Sequence, residues 1–278
     1  GVNIGLNNKV GIRSPYLYVE DGGSGFLKQF YGGMLTTCGI TYAGGAGEDN
    51  GKALGLHGPF NNIPAQQVCA KVDYEGDERV LRVTGQVHEA EVFGTDMIME
   101  RDFVLESESD KLRICDVVTN QSYETQPVML IYHINFGYPL LQADSCVRSS
   151  KSAISPMNGM STDAVHMMEP VDGRGEELYF NTNLGDRACG VIYNEALELG
   201  AYIAWDTKNL PNFLEWKNMK SHDYVLAIEP CNTCGLNRAE AIAANKIAVL
   251  PAYSSVENHL ELGVLDGLTE IREFIKNL

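Results

Sequence analysis

The sequence predicts an all-β protein, a large antiparallel β-sandwich with few short helices, and three observations support this prediction. The middle of the chain alternates apolar and polar residues with the period of two that is typical of half-buried strands. Turn-forming segments such as GTD and ESESD separate these stretches. The strands are not interleaved with amphipathic helices of about 10–15 residues, which a parallel α/β fold would require.

The elements are predicted in chain order as follows. The Gly-rich stretch from Gly22 to Asn62 indicates loops. Such loops either form the walls of a site or are surface excursions, and the second interpretation is favoured for Gly44–Gly51. The clearest strands are RVLRVTGQVHEAEVF, MIMERDFVLE and KLRICDVVTN. Further strands are predicted at TQPVMLIYHINF, ELYF, ACGVIYNEA, GAYIAWDT, DYVLAIEP, KIAVLP and ENHLELGVL. After the Asp266-Gly267 turn, apolar residues recur at helical spacing and predict a terminal helix over Leu268–Leu278.

Length and composition are compatible with a single domain. The chain has 278 residues, of which 44% are apolar, and this fraction is too high for a disordered protein. All-β sandwiches of this size are often one domain, so we predict one domain over residues 1–278. The first residue is Gly1 and not methionine, so we expect an N-terminus that was processed or truncated.

The charge balance argues against two classes of partner. The chain has 21 Lys and Arg against 37 Asp and Glu, a formal net charge of −16, so nucleic acid and anionic membranes would repel it. The longest apolar run, around Val128 to Tyr132, is too short to cross a bilayer. The start of the chain lacks the pattern of a secretory signal. We therefore expect a soluble, cytoplasmic protein without a nucleic-acid or membrane partner.

The seven cysteines are an odd, dispersed set, which argues against a disulfide framework. Cys231 and Cys234 have the spacing of a redox or zinc pair. No second pair or histidine lies at zinc-finger spacing, however, and no thioredoxin-like helix is indicated after Cys231. Nucleotide-binding glycine motifs are also missing from the sequence. We therefore expect no cofactor and no metal.

Two of the six histidines lie in unusual contexts. His57 lies in the loop GLHGPFNNIPA between glycines and a proline. His133 interrupts the apolar strand VMLIYHINFGYPLL, two residues before Asn135. Burying an imidazole without partners is costly, so His133 is either a hydrogen-bonded core residue or a site residue, and its position alone favours the core.

Glu229 ends the apolar strand YVLAIEPCN and precedes Pro230. A carboxylate there is costly unless it is paired or lies at an open end of the sandwich. Together with His57 and His133 it suits general acid–base catalysis. It also suits a metal site of two histidines and one carboxylate, but such sites usually draw two ligands from neighbouring positions, which is not the case here. We therefore favour acid–base catalysis.

Four blocks in this order, LHGPFNNIPA, NQSYETQP, YHINFGYPLL and IEPCN, resemble the aldose 1-epimerase (galactose mutarotase-like) superfamily. The branch most resembled is a poorly characterised subfamily with blocks like GGMLTTCGI, LHG, YHINFGYPLL and EP(C/A)N. The similarity runs from about Ile12 to Gly267. The resemblance implies a galactose mutarotase-like supersandwich. It also implies an isomerase that interconverts the α and β anomers of a small-molecule sugar, a free aldose or a derivative, without a cofactor.

The resemblance also implies roles for individual residues. In the family a histidine of the third block protonates the sugar ring oxygen and a late-strand glutamate deprotonates the anomeric hydroxyl, and these roles fall on His133 and Glu229. The earlier His-Gly motif, which helps bind the ring oxygen and hydroxyls, matches His57. Because opposite charges stabilise each other, we expect a protonated His133 beside an ionised Glu229.

We assign substrate binding to three further residues. Asn135 belongs to the third block, and Asp206 in AYIAWDT is the nearest match to an aspartate that the family holds on a strand before the catalytic glutamate. Trp216 could offer a flat apolar face to a sugar, or could equally pack as a strand-edge aromatic.

The chain also departs from the family, and two other functions remain open. The arginine that galactose mutarotases have shortly before the His-Gly motif is missing, since that place reads TTCGITYAGG. The alternatives are a non-catalytic sugar-binding or sensing module and another sugar isomerase on the same fold, because a fold does not fix a function.

Overall fold

The structure, a computed structural model, describes residues 26–27, 33–76, 78–157 and 163–278. Two large antiparallel sheets account for most of the regular structure, which confirms the predicted all-β sandwich. The smaller sheet contains, in spatial order, β1 (Leu35–Cys38), β9 (Ile131–Phe136), β16 (Val225–Cys231), β15 (Asn212–Asn218), β12 (Glu177–Thr182) and β11 (Ala153–Pro156).

The larger sheet has eight strands. In spatial order these are β10 (Cys146–Ser149), β13 (Arg187–Asn194), β14 (Leu199–Asp206), β18 (Ser255–Asp266), β7 (Lys111–Asn120), β6 (Asp96–Glu106), β5 (Glu78–Ala90) and β4 (Gln66–Glu75). The described residues also form two small ribbons, β2 (Gly47–Asp49) with β3 (Lys52–Leu54) and β8 (Gln126–Val128) with β17 (Ala248–Leu250).

The main core lies between the two large sheets and draws side chains from both. Ile134 and Phe136 of β9 pack in the same buried cluster as Ile114 of β7. The rings of Trp205 on β14 and Phe213 on β15 meet edge to face with centroids 5.5 Å apart. Such interdigitation of two inner faces is what holds a sandwich together.

A polar network crosses this core. The guanidinium of Arg101 donates two hydrogen bonds to Asp116, at 2.8 and 2.6 Å. The Tyr132 hydroxyl donates to Asp116 at 2.6 Å and accepts from Asn258 at 3.2 Å. Since Tyr132 belongs to β9 and the other three belong to the eight-stranded sheet, the network ties the two sheets together.

Helices are few and short in the part of the chain that the structure describes. A six-residue helix, α1 (Arg238–Ala243), begins with a capping box formed by Asn237 and Glu240. The predicted terminal helix is confirmed as α2 (Leu268–Lys276), which buries Ile271 against the larger sheet. In the part of the chain that the structure describes, no helix combines the length and apolarity needed to cross a membrane.

The Gly-rich stretch was predicted as loops, and its described part differs from that prediction. It contains β1, β2 and β3 and a 3-10 turn over Phe60–Asn62. All seven cysteines are free thiols, as predicted.

Candidate active site

The candidate site lies on the face of the six-stranded sheet that is turned away from the main core. Residues alternate between the faces along β9, so Tyr132 and Ile134 point into the core while His133 and Asn135 point outward. In the pairing of β16 with β9, Ile228 lies opposite Ile134, which places Glu229 opposite His133. The six-stranded sheet therefore brings together two ionisable residues that lie almost one hundred positions apart in the sequence.

The two side chains are in direct contact and almost fully buried. His133 Nε2 lies 3.2 Å from Glu229 Oε1, and the side chains are only 7% and 3% exposed. All six residues of β9 and all seven of β16 are buried, because the outward face is covered as well as the core face. The pair is thus shielded from bulk water. In such a buried site the surroundings strongly affect which group holds a proton.

Burial shifts the pKa of both groups towards the uncharged form. Desolvation, together with the nearby His57, lowers the pKa of His133 to about 3. Desolvation raises the pKa of Glu229 to about 8. The charged pair predicted from the sequence is therefore not the form that burial favours. Without further charges around it, the pair is more stable as a neutral imidazole beside a carboxylic acid.

His57 reaches the same place from a loop. Its ring stands edge-on to the ring of His133, with centroids 5.9 Å apart and planes at 90°. The ring of Phe26 also packs against His57, with the ring centroids 4.8 Å apart. Burial lowers the pKa of His57 to about 4, and its Nδ1 is buried without a hydrogen-bond partner among the described residues. An uncharged imidazole with an unused nitrogen can bind a ligand hydroxyl.

Trp216 forms a wall beside the pair. It lies on β15, next to β16, and its ring centroid is 5.4 Å from that of His133 with the planes at 72°. The indole Nε1 donates a hydrogen bond to Glu176 at 3.0 Å. The aromatic face of Trp216 is thus part of the candidate site. Glu176, which was not predicted from the sequence as a site residue, fixes the orientation of the ring.

Asn135 lies one outward position along β9 from His133. Its side-chain nitrogen donates to the backbone carbonyl of His133 at 3.2 Å. Its Oδ1 is buried and has no partner within the described part of the chain. A free acceptor at this depth is a place for a ligand hydroxyl to donate.

Asp206 does not join these residues. It ends β14 in the eight-stranded sheet, is exposed, and lies 3.6 Å from Arg187 of the neighbouring strand. Asp206 was predicted as a site residue because its strand precedes that of Glu229 in the chain. The order of strands along the chain does not determine which sheet each strand joins.

Cys38 was not identified from the sequence as a site residue, although it lies in the block GGMLTTCGI. It is fully buried at the end of β1, and its thiol pKa is raised by burial and by the charge of Glu229. Its only sequence signal was its place in that block. Within the described residues, no three His, Cys, Asp or Glu side chains form a group suited to hold a metal ion.

Comparison with known proteins agrees with this architecture. The family model described as a domain of unknown function (DUF4432) matches residues 1–264. No protein with a curated description matches the chain. A solved structure of a candidate aldose 1-epimerase from Klebsiella pneumoniae subsp. pneumoniae superposes with a TM-score of 0.91 at 23% identity, covering 100% of this chain and 75% of that one.

Two further solved structures share the fold at lower similarity. A galactose mutarotase related enzyme from Lactobacillus acidophilus has a TM-score of 0.60 at 14% identity, covering 86% of this chain and 85% of that one. A galactose mutarotase-like protein from Clostridium acetobutylicum has a TM-score of 0.58 at 17% identity, covering 96% and 86%. These likenesses show that the chain has the galactose mutarotase-like fold.

Proposed function

The chain belongs to the family of domains of unknown function DUF4432, and from the geometry of its site we propose that it interconverts the α and β anomers of a free sugar. The single observation that carries the proposal is the buried contact between His133 and Glu229. An acid and a base side by side are what ring opening needs, since one proton must leave the anomeric hydroxyl while another reaches the ring oxygen.

The surroundings of the pair suit a sugar. His57 and Asn135 offer buried polar atoms without partners among the described residues, to which sugar hydroxyls can bind. Trp216 offers a flat apolar surface to the C–H side of a pyranose ring. The fold shared with the aldose 1-epimerase and galactose mutarotase-like proteins supports the same assignment.

Two proton transfers in opposite directions then open the ring. Glu229 accepts the proton of the anomeric O1 while His133 donates one to the ring oxygen, and the bond between C1 and the ring oxygen breaks to leave an aldehyde. Rotation about C1–C2 presents the other face of the carbonyl. The ring oxygen then attacks C1, returns its proton to His133, and O1 takes the proton back from Glu229.

Burial acts on this ring opening in two opposite ways, because the reactive charged form must first be reached by moving the proton of the pair from Glu229 to His133. The reaction begins from an imidazolium beside a carboxylate and leaves a neutral imidazole beside a carboxylic acid. The lowered pKa of His133 and the raised pKa of Glu229 both stabilise the second state relative to the first. Each group can contribute a rate factor of about 10²–10⁴ by acid–base catalysis.

Variants of the two residues test the proposal. Glu229→Gln keeps the size of the side chain but cannot accept the O1 proton, and His133→Asn cannot deliver and reclaim a proton. Each is expected to lower kcat by about 100-fold or more while sugar affinity changes much less, because the lost interaction belongs to the transition state. Anomer exchange is measured by NMR or polarimetry over a panel of aldoses, against the spontaneous rate.

Glu215→Gln is the matched control. Glu215 is buried like Glu229, and burial likewise raises its pKa to about 8, but it lies on the core face of β15 opposite Ile228. This variant should keep the wild-type kcat if it folds. Wild-type exchange rates in both site variants would contradict the catalytic roles. A wild type that binds sugars but exchanges none would identify a binding module instead.

A further inference from the structure

A buried carboxylate on the other sheet binds the loop that follows β1. Glu89 lies near the end of β5 and is 8% exposed. Its Oε2 accepts hydrogen bonds from the backbone N–H groups of Ile40 at 2.6 Å and Thr41 at 3.3 Å. Its Oε1 accepts a short hydrogen bond from the Thr41 hydroxyl. The Glu89 side chain accepts all three of these hydrogen bonds, so an acceptor at this position is what holds the loop.

The same loop holds the segment that carries His57. The backbone N–H of His57 donates to the carbonyl of Gly44 at 2.8 Å. Three residues further on, the N–H of Phe60 donates to the carbonyl of Gly39 at 3.1 Å. The loop 39–44 is thus bonded on one side to Glu89 and on the other to both ends of the turn 57–60. A displacement of the loop would therefore move His57.

A second charged group ties the loop from another direction. Arg238, at the start of α1, donates from Nη1 to the carbonyl of Thr41 at 3.3 Å and from Nε to Asp49 at 2.7 Å. Thr41 is therefore held through its N–H and hydroxyl by a carboxylate and through its carbonyl by a guanidinium. Glu89 provides hydrogen bonds that link this loop to the eight-stranded sheet.

We propose that Glu89 is a positioning residue, which holds His57 beside His133 so that His57 can bind the sugar. This proposal rests on the proposed function, because it assumes that the site binds a sugar. Glu89 acts through the loop 39–44 and touches none of the reacting atoms. Its effect therefore belongs to the placement of His57 and leaves the proton transfers of His133 and Glu229 unchanged.

The test compares Glu89→Ala with Glu89→Gln. Removing the acceptor should raise KM about tenfold while kcat stays within about twofold, since binding weakens uniformly in the ground and transition states. The glutamine variant should recover most of the affinity, because its amide oxygen can still accept both backbone N–H groups. The His57 imidazole signals in ¹H–¹⁵N NMR spectra, recorded without sugar, should shift in the alanine variant and return towards wild type in the glutamine variant.

Controls separate this proposal from the function on which it depends. Glu91→Ala is matched, because Glu91 lies two residues away and forms an exposed ion pair with Lys52. It should change neither KM nor the His57 signals. If Glu89→Ala does not fold, Thr41→Val removes one of the three hydrogen bonds and should give a smaller shift of the same kind. Unchanged His57 signals and an unchanged KM would overturn the role of Glu89. A wild type without anomer exchange would overturn the proposed function, while the sugar-free His57 signals would still report on Glu89.

Discussion

In the contact between His133 and Glu229, one proton can sit on the imidazole or on the carboxylate without changing the net charge of the pair. The two residues therefore titrate as a unit, and their apparent pKa values belong to the pair. The pair keeps its exchangeable proton between the pKa of about 3 at His133 and that of about 8 at Glu229. Only within this range can it take part in both proton transfers.

The first prediction at this scale is a broad pH profile. The kcat/KM of anomer exchange should be level through neutral pH and fall as the pH rises past about 8, because the pair then loses its proton. On the acid side the loss should begin only near the His133 pKa of about 3, because below it the pair carries two protons and Glu229 can no longer accept one. The measurement is kcat/KM against pH with the spontaneous rate subtracted. A basic limb near 6.5, the ordinary imidazole pKa, would show that burial does not control the pair.

At the scale of elements, the turn 57–60 depends on a glycine. Gly58 has a φ of +70°, and a Cβ added there would lie 2.2 Å from the carbonyl oxygen of Tyr42. Both the backbone conformation and the close approach exclude a larger side chain. The motif His-Gly therefore has a structural reason: the glycine lets the loop 39–44 and the histidine segment pack together.

Gly58→Ala is expected to destabilise the protein by about 3 kcal/mol, since the backbone must move to relieve the clash. It should also raise the KM for sugar, because His57 moves with the turn. Stability is measured by urea unfolding and affinity by exchange kinetics. Gly51→Ala is the control, since Gly51 has a φ of +77° but no atom within 4 Å of an added Cβ. Equal losses in the two variants would mean that the close approach to Tyr42 is unimportant.

The sequence indicated some elements and not others, and the reason lies in their side chains. The period-two pattern identified β5, β6 and β7 because one face of each is polar. The strand β15 was not predicted, since Glu215 and Lys217 occupy its buried core face and break the alternation. His57, His133 and Glu229 stood out as polar residues in glycine-rich or apolar surroundings. Glu89 did not, because a glutamate in an alternating strand resembles an ordinary surface residue.

At the scale of the whole molecule, the site depends on the way the two sheets are joined. His133 directly follows Tyr132, and the hydroxyl of Tyr132 is bound by Asp116 from the opposite sheet. Asp116 has a fully buried side chain, and that of Arg101 is 15% exposed. A buried ion pair of this kind contributes little net stability compared with apolar packing, but it is costly to break because the remaining charge has no partner.

We therefore expect Asp116→Asn to lower the free energy of unfolding by about 3–5 kcal/mol, because Arg101 would keep a buried charge without a counterion. The matched control is Asp206→Asn, which breaks the exposed pair with Arg187 and should cost about 0–1 kcal/mol. Urea unfolding followed by circular dichroism measures both. Since the network lies directly beneath β9, Asp116→Asn should also lower kcat in the folded fraction, whereas Asp206→Asn should leave exchange kinetics unchanged. Similar, small losses of stability in the two variants would show that the core network does not hold the sheets together.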